Sequence, residues 1–427
     1  MTAVLPEVAA VQRRTVRTLV VSQALGGVGV TTGITVATLL AEQILGSAAL
    51  AGLAQTTQVL GAAVAAFVLA RLMSARGRRI GLAAGYGVGG VGAGVCVVAG
   101  VAGSFLLLLV GTFAIGWATA ANIQARYAAT DLAEPGHRAR ALAVVVWATT
   151  LGAVLGPNLI GPGVTVAQWL HVPELTGAFF LAMLAVAVTT TVLLLLLRPD
   201  PLLLAREHAA ARGEVTTAHV GLRHVWSVMS VRPRAAAAMV AVGVAHAVMI
   251  SVMVMTPLHM HHGGADLQII GFVLSMHVLG MFALSPMVGW LTDRIGRPAM
   301  LATGGGILLA SVVLAGRAPE GHSLGLMLGL FLLGLGWSCC LIAGSALLVD
   351  AVPFAERPGV QGASDLVMGL FAACAGALAG VVVAWWGYSV LNVAAGVLAL
   401  LVLGAAAVAR DRRAVPSADE PDRAPAS

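Results

Sequence analysis

The chain has 427 residues, of which 59% are hydrophobic and only 10% charged, and its mean hydropathy is +0.95. Ordinary soluble domains carry about 25% charged residues. This composition therefore excludes a soluble globular protein, which would need a more polar surface. All 24 basic residues behind the formal net charge of +6 are arginines.

The hydrophobic residues fall into segments long enough to cross a membrane. A helix needs roughly 20 apolar residues to span about 30 Å of hydrocarbon. The sequence predicts an all-α membrane protein with twelve transmembrane helices. The predicted spans are 16–40, 49–70, 80–102, 104–128, 140–163, 174–197, 235–258, 268–292, 299–316, 323–349, 360–384 and 388–409.

The arginines indicate the orientation of these spans. With odd spans running outward, only Arg317 falls on the outer side, and the other arginines lie on the side of the two termini. Arginine close to a span resists translocation, so the arginine-rich side is predicted to be cytoplasmic. We expect a multi-pass protein of the cell membrane without a cleavable signal peptide, because the first apolar run is too long for one. The charge thus reports topology, and no nucleic-acid partner is expected.

The longest polar connection divides the spans into two sets of six. The predicted organisation is a first bundle at 1–197, a cytoplasmic linker at 198–234, a second bundle at 235–409 and a disordered tail at 410–427. The linker begins with Arg198-Pro199-Asp200-Pro201, which ends a helix. We expect it to lie on the surface, with an interfacial helix as one alternative.

A repeated loop motif suggests a family. Residues 289–298 read GWLTDRIGRP, and the corresponding loop six spans earlier, residues 70–79, reads ARLMSARGRR. Both resemble the G-x-L-x-D-x-x-G-R loop of the major facilitator superfamily, although Ser74 replaces the acid in the first copy. The resemblance implies two bundles related by an axis along the membrane normal. It also implies a conformational latch formed by Gly289, Asp293, Gly296, Arg297, Gly77, Arg78 and Arg79.

The fifth span contains a second element of this family. Residues 152–163 read GAVLGPNLIGPG, which resembles the G-x-x-x-G-P-x-x-G-G element of the exporter branches. The resemblance implies a hinge at Gly152, Gly156, Pro157 and Gly161. The alternative is a kinked helix that serves packing alone, because proline breaks the backbone ladder wherever it occurs.

Ionisable residues inside the spans are few. A charge at the centre of a bilayer costs about 3 kcal/mol, so such residues are functional candidates. Asp365 is the leading candidate for proton coupling, with His246 and His277 as alternates. Asp365 could instead be stabilised by a helix N-terminus or an arginine, and the histidines could simply pack. Many proton-coupled exporters of the family carry an arginine about 20 residues before the end of the fourth span and an acid at the middle of the first span. Neither residue is present at those positions here.

The candidate substrate residues are amides and one tryptophan: Gln23, Gln58, Asn122, Asn158 and Trp337. A cavity lined by such groups suits a neutral or weakly cationic amphipathic molecule, and with no arginine at midplane it suits a phosphate badly. The amides could also bridge helices, and Trp337 could be a packing residue.

The remaining motifs point away from an enzyme. His259, His261, His262 and Asp266 are read as a loop cluster whose spacing fits no firm zinc site, so a solvated loop is favoured over a pH sensor or a metal site. Neither a nucleotide-binding loop nor a nucleophile beside a base is present, and no cofactor is expected. The leading hypothesis is a monomeric exporter of small organic molecules, such as a drug or a hydrophobic metabolite, with proton antiport as a candidate coupling mode. The alternatives are an importer of a small metabolite and a non-transporting receptor or scaffold.

Overall fold

The computed structural model describes residues 6–46, 52–213, 221–321 and 323–410. Within these ranges the regular elements are helical. The α-helices are α1 (Pro6–Leu45), α2 (Gly52–Ala102), α3 (Phe105–Ala128), α4 (Arg138–Asn158), α5 (Ile160–Leu170), α6 (Thr176–Leu196), α7 (Pro201–Ala211), α8 (Leu222–Ser230), α9 (Pro233–His262), α10 (Leu267–Phe282), α11 (Ser285–Ile295), α12 (Arg297–Arg317), α13 (Leu324–Ala351) and α14 (Arg357–Arg410).

Ten continuous stretches of the described chain are long and apolar enough to cross a bilayer. Two of them contain a glycine with non-helical backbone, Gly77 in α2 and Gly387 in α14. Their φ angles of 87° and 83° lie in the left-handed region that glycine tolerates without steric cost. Each of these stretches is therefore a pair of spans, and the predicted all-α fold with twelve spans is confirmed.

The spans pack as two bundles of six helices. In the first half, α1 packs against α4 and α6, and α2 packs against α3; in the second half, α9 packs against α14, and α12 against α13. The halves meet where α2 lies against α14 and where α4 lies against α11. Apolar side chains also cover the outer surface, as expected for contact with lipid. Trp385 and Trp386, 75% and 59% exposed beside the turn at Gly387, sit where interfacial anchors are common.

The connections are more helical than the sequence predicted. The linker contains α7 and α8, and the Asp200 carboxylate caps α7 by accepting hydrogen bonds from the backbone N–H groups of Leu202 (3.0 Å) and Leu203 (3.2 Å). The prediction of a loop at His259–His262 is wrong, because α9 continues to His262. Residues 411–427, for which disorder was predicted, lie outside the described residues.

Candidate functional site

The two halves meet closely on one side of the molecule. This side, on which α1 begins and α14 ends, is called the arginine-rich side below. A Cβ atom added to Gly289 would lie 2.7 Å from the Ala139 carbonyl oxygen and would also overlap Ala143. A Cβ added to Gly362 would lie 3.0 Å from the Ala66 oxygen. Both contacts join a second-half helix to a first-half helix, and only glycine permits such a close approach.

A buried ion pair crosses this interface. Arg126 Nη2, near the end of α3, lies 2.6 Å from Asp365 Oδ1 in α14, and each side chain is only 4% exposed. Arg126 also donates to Ser345 Oγ in α13 (3.3 Å) and to the Ile123 carbonyl oxygen (2.7 Å). Within the described chain, Asp365 Oδ2 has no hydrogen-bond partner. The candidate coupling acid is therefore tied to an arginine of the other half.

A second buried arginine makes a parallel link. Arg78 Nε lies 2.8 Å from Asp131 Oδ2, and Arg78 Nη2 donates to Gln361 Oε1 of the second half at 2.7 Å. Asp131 belongs to the connection between α3 and α4. Burial raises the pKa of its carboxyl, and the Arg78 guanidinium partly offsets the rise. Together, the Gly289 and Gly362 contacts and the two arginine networks are called the inter-half seal.

The first copy of the loop motif obtains its acid from the linker. Gly77 and Gly296, the glycines at corresponding positions of the two copies, both have positive φ, at 87° and 92°. Where the first copy has Ser74, Asp200 Oδ2 accepts a hydrogen bond from the Arg79 backbone N–H at 2.7 Å. Arg206 of α7 donates to the Ser74 carbonyl oxygen. Helix α7 is thereby fixed to the motif loop.

The second copy of the motif contacts the start of α4. Asp293 accepts hydrogen bonds from the backbone N–H groups of Arg140 (2.9 Å) and Ala139 (3.3 Å), and Arg297 Nη2 lies 3.2 Å from the same carboxylate. A carboxylate at a helix N-terminus is stabilised by the unpaired N–H groups and the helix dipole. Asp350 joins this group, at 2.9 Å from Arg297 Nε and 2.5 Å from Arg138 Nη1.

We expect Asp293→Asn to slow transport while leaving expression near normal. Hydrogen bonds to a charged group contribute about 1.5–3 kcal/mol, so their weakening should reduce the population of the sealed state roughly tenfold or more. Asp266→Asn is a matched control, since Asp266 is exposed before α10 and its side chain caps nothing. Initial transport rates of the two variants in proteoliposomes test whether Asp293 is part of the latch. Equal rates in the two variants would exclude Asp293 from the latch.

Of the polar residues that were predicted to bind substrate, some form a cluster and the others lie at separate sites. Gln23 Nε2 donates to Asn122 Oδ1 (2.6 Å) and to Thr149 Oγ1 (2.9 Å), and Asn122 Nδ2 donates to Tyr86 Oη (3.1 Å). Among the described residues, nothing pairs with the buried Gln23 Oε1. Gln23 therefore has an unused hydrogen-bond acceptor inside the first half.

The other predicted polar residues lie apart from this cluster. Gln58 Nε2 donates to Thr119 Oγ1 at 3.3 Å, and the exposed Asn158 donates to Val154 of its own helix at 2.6 Å. Trp337 Nε1 donates to His246 Nδ1 at 2.8 Å. His277 is fully buried, with Nδ1 2.8 Å from the Leu330 carbonyl oxygen. Gln23 and Asn122 are thus brought together, as are Trp337 and His246.

The predicted hinge lies on a tight seam between α1 and α4. A Cβ on Gly152 would lie 2.5 Å from the Gly27 carbonyl carbon, and one on Gly156 would overlap the Thr31 hydroxyl. Thr31 Oγ1 donates to the Gly152 oxygen at 2.7 Å. The helix is interrupted just after Pro157, since α4 ends at Asn158 and α5 begins at Ile160. Around Gly161 a Cβ would meet nothing within 4 Å, so this position does not share the seam.

The histidines at the end of α9 do not form a metal site in the described residues, where no group of at least three His, Cys, Asp or Glu side chains could hold an ion. His259 instead stacks on Tyr388, with ring centroids 4.2 Å apart, and the Tyr388 hydroxyl lies 2.8 Å from Thr256 Oγ1.

Sequence comparison agrees with this architecture. The family model of the Major Facilitator Superfamily matches residues 19–265 and 239–426. The chain belongs to the Major Facilitator Superfamily. Within this superfamily it is 39% identical over 407 residues to the uncharacterized MFS-type transporter YdeG of Bacillus subtilis, covering 94% of this chain and 93% of that protein. It is 31% identical to the riboflavin transporter RfnT of Brucella anthropi, covering 89% and 92% of the two chains.

The same fold is found among solved superfamily structures. The human organic anion transporter MFSD10 superposes with a TM-score of 0.70 at 18% identity, covering 92% of this chain and 99% of that one. At this identity the likeness establishes the fold alone. The family and its relatives indicate a membrane transporter rather than an enzyme.

Sequence reasoning missed several residues of the seal and of the motif loops. Arg126 was not distinguished from the other arginines, and its place in the last turn of an apolar helix was the signal that could have singled it out. Asp131, Asp200 and Gln361 lie in connections or at a span end, where polar residues are ordinary. Gly362 stands among several helical glycines, and nothing local distinguishes it.

Proposed function

We propose that this protein is a secondary transporter that exports neutral or weakly cationic amphipathic molecules by alternating access. The inter-half seal carries the proposal. It closes one side of the molecule through contacts between the two halves, such as the pair Arg126–Asp365. Such contacts can be broken and remade by rigid-body rocking of the bundles, which is how this class of fold exposes a central site to each side in turn.

The chemistry of the candidate binding residues supports the substrate class. The amide pair Gln23–Asn122 and the pair His246–Trp337 are uncharged hydrogen-bonding groups. The Phe282 ring packs edge-on against Trp337, with centroids 5.7 Å apart. Aromatic surfaces with a few fixed polar groups suit planar, amphipathic ligands.

The proposed direction of transport and the proposed coupling to protons rest on separate features. The fifth-span motif supports export, because it resembles the element of the exporter branches; its glycines Gly152 and Gly156 build the seam between α1 and α4. Asp365 is the proposed proton carrier, because it is the carboxylate that links the two halves inside the seal. Protonation would weaken its attraction to Arg126 and so favour opening on the arginine-rich side. We further propose that the protein works as a monomer in the cell membrane.

The arginine distribution predicts which residues face outward. In a background without the native cysteines, a membrane-impermeant maleimide added to intact cells is expected to label His261→Cys and Arg317→Cys. It should label Arg223→Cys only after permeabilisation. All three positions are exposed, so access to the reagent depends on the side of the membrane. The reverse pattern would show that the arginine-rich side faces outward.

Transport in proteoliposomes tests the proposed function. The full chain is reconstituted with a panel of neutral and cationic fluorescent compounds, under a pH gradient of either sign. We expect accumulation whose direction follows the gradient. Gln23→Leu should raise the half-saturating concentration, whereas Thr191→Val should not, because Thr191 is exposed and bonds to Ala187 of its own helix. Transport equal to that of protein-free liposomes would contradict the proposal. Transport that does not depend on the pH gradient would contradict proton coupling.

Transport of riboflavin is a second candidate. Its support is the 31% identity to a riboflavin transporter over 386 residues. Riboflavin is neutral, planar and rich in hydrogen-bonding groups, so it also suits the uncharged residues described above. Measuring riboflavin movement in both directions in the same liposomes separates this candidate from export of other amphipathic compounds.

A further inference from the structure

A cavity of about 730 Å³ lies on the arginine-rich side, between the start of α1 and the segment that leads into α4. Its walls are mainly apolar and include Val16, Leu132 and Val144. The exposed side chains of Arg13, Arg17 and Arg140 also line it. The cavity therefore combines an apolar interior with a basic opening. The inter-half seal uses none of the side chains that line this cavity.

Charge within the cavity is strongly one-sided. The acid that lines it is Glu134, whose Oε2 lies 3.3 Å from Nδ1 of His137, another lining residue. The three arginines thus outnumber the single carboxylate. Arg13 and Arg17 are four residues apart on α1, so they lie on the same face of the helix. They also border a second cavity of about 460 Å³, which is lined in addition by Arg14 and by Leu196 of α6.

We propose that the cavity between α1 and α4 binds an anionic phospholipid, with Arg13, Arg17 and Arg140 around its phosphate and an acyl chain along the apolar wall. Guanidinium groups bind phosphate oxygens in a bidentate manner. Basic pockets beside spans at the membrane surface select anionic headgroups, with each arginine worth roughly fivefold in affinity. A soluble anion would use the arginines but would leave the apolar wall uncovered.

The position of the cavity ties the lipid to the conformation of the transporter. The Arg140 side chain lines the cavity, while its backbone N–H donates to Asp293 of the second half. The neighbouring Pro135 carbonyl oxygen accepts a hydrogen bond from Arg297. A lipid that holds this segment in place stabilises the partner surface of Asp293 and Arg297. The bound lipid therefore favours the state closed on the arginine-rich side.

Lipid binding to the purified, delipidated full chain tests the proposal without any transport assay. In detergent, native mass spectrometry follows titrations with phosphatidylglycerol, phosphatidylcholine and glycerol phosphate. We expect binding of phosphatidylglycerol alone. Arg13→Gln/Arg17→Gln should weaken it about 30-fold, from roughly fivefold for each arginine. Arg223→Gln/Arg410→Gln is the matched control, since both residues are exposed on the same side away from the cavity, and it should bind as the natural protein does.

Three results would overturn the proposal: equal loss of binding in the control, unchanged binding in Arg13→Gln/Arg17→Gln, or glycerol phosphate binding as tightly as the lipid. Thermal unfolding without lipid establishes that each variant is folded. If the double variant does not fold, Arg140→Gln takes its place with an expected loss of about fivefold. Because the readout is binding, failure of the proposed transport function would leave this result unaffected.

Discussion

Replacing Asp365 by asparagine is expected to abolish accumulation of substrate against its gradient. The substitution leaves the Arg126 guanidinium buried without the carboxylate that now lies 2.6 Å away. Removing one partner of a buried ion pair costs about 3–5 kcal/mol. Since this pair joins the two halves, the loss falls on the sealed state, whose population should drop by about a hundredfold or more relative to the open state.

The change in the population of the sealed state can be measured as a distance between the two halves. Spin labels at Arg76→Cys and Arg294→Cys, exposed positions in different halves on the arginine-rich side, report the separation of the bundles in a background without native cysteines. The natural protein should give a short distance and Asp365→Asn a longer one. If the variant keeps the short distance and still accumulates substrate, the pair neither seals the protein nor couples transport.

A double variant separates sealing from proton coupling. Arg126→Gln/Asp365→Asn removes both charges, so no unpaired charge remains in the interface. We expect the short distance to return, since two neutral amides can hydrogen-bond across the same gap, while gradient-driven accumulation stays absent. If accumulation also returns, Asp365 is only the partner of Arg126, and the coupling group must be sought at His246 or His277.

The features that the sequence predicted depend on local physical chemistry. Span length follows from the thickness of the bilayer, so the twelve spans could be placed from hydropathy alone. The loop copies around Gly77 and Gly296 could be recognised from the family motif that they resemble, and the positive φ of both glycines explains why glycine stands at that fixed position. These are properties of short segments, and they do not depend on the rest of the chain.

The features that sequence reasoning did not find depend on distant pairing. Arg126 and Asp365 are 239 residues apart, and the chain offers 24 arginines and 18 acids, so composition cannot select their pairing. Likewise, Ser74 indicated a lost acid, and only the fold reveals that Asp200 approaches the same loop. His259, His261 and His262 were assigned to a loop because the predicted apolar span ends at residue 258, but α9 continues through them.

The glycines of the seal give the last prediction. Gly362→Leu is expected to hold the protein open on the arginine-rich side and to stop transport. Its side chain would occupy the space of Ala70 and of the Ala66 carbonyl oxygen, which lies 3.0 Å from the position of an added Cβ. Overpacking of a fitted interface costs about 1–3 kcal/mol or more, and here the sealed state alone bears that cost. Gly362→Ala should give an intermediate effect, since its single methyl already overlaps Ala70.

A glycine on the same helix supplies the control. Gly404 also lies in α14, but it is exposed and an added Cβ would meet nothing within 4 Å. Gly404→Leu changes helix propensity by the same amount as Gly362→Leu without touching the first half. The spin-label distance between Arg76→Cys and Arg294→Cys should therefore lengthen in Gly362→Leu and stay short in Gly404→Leu. Equal distances in the two variants, with transport retained, would mean that the contact at Gly362 is not part of the seal, and closure would then depend on the polar networks alone.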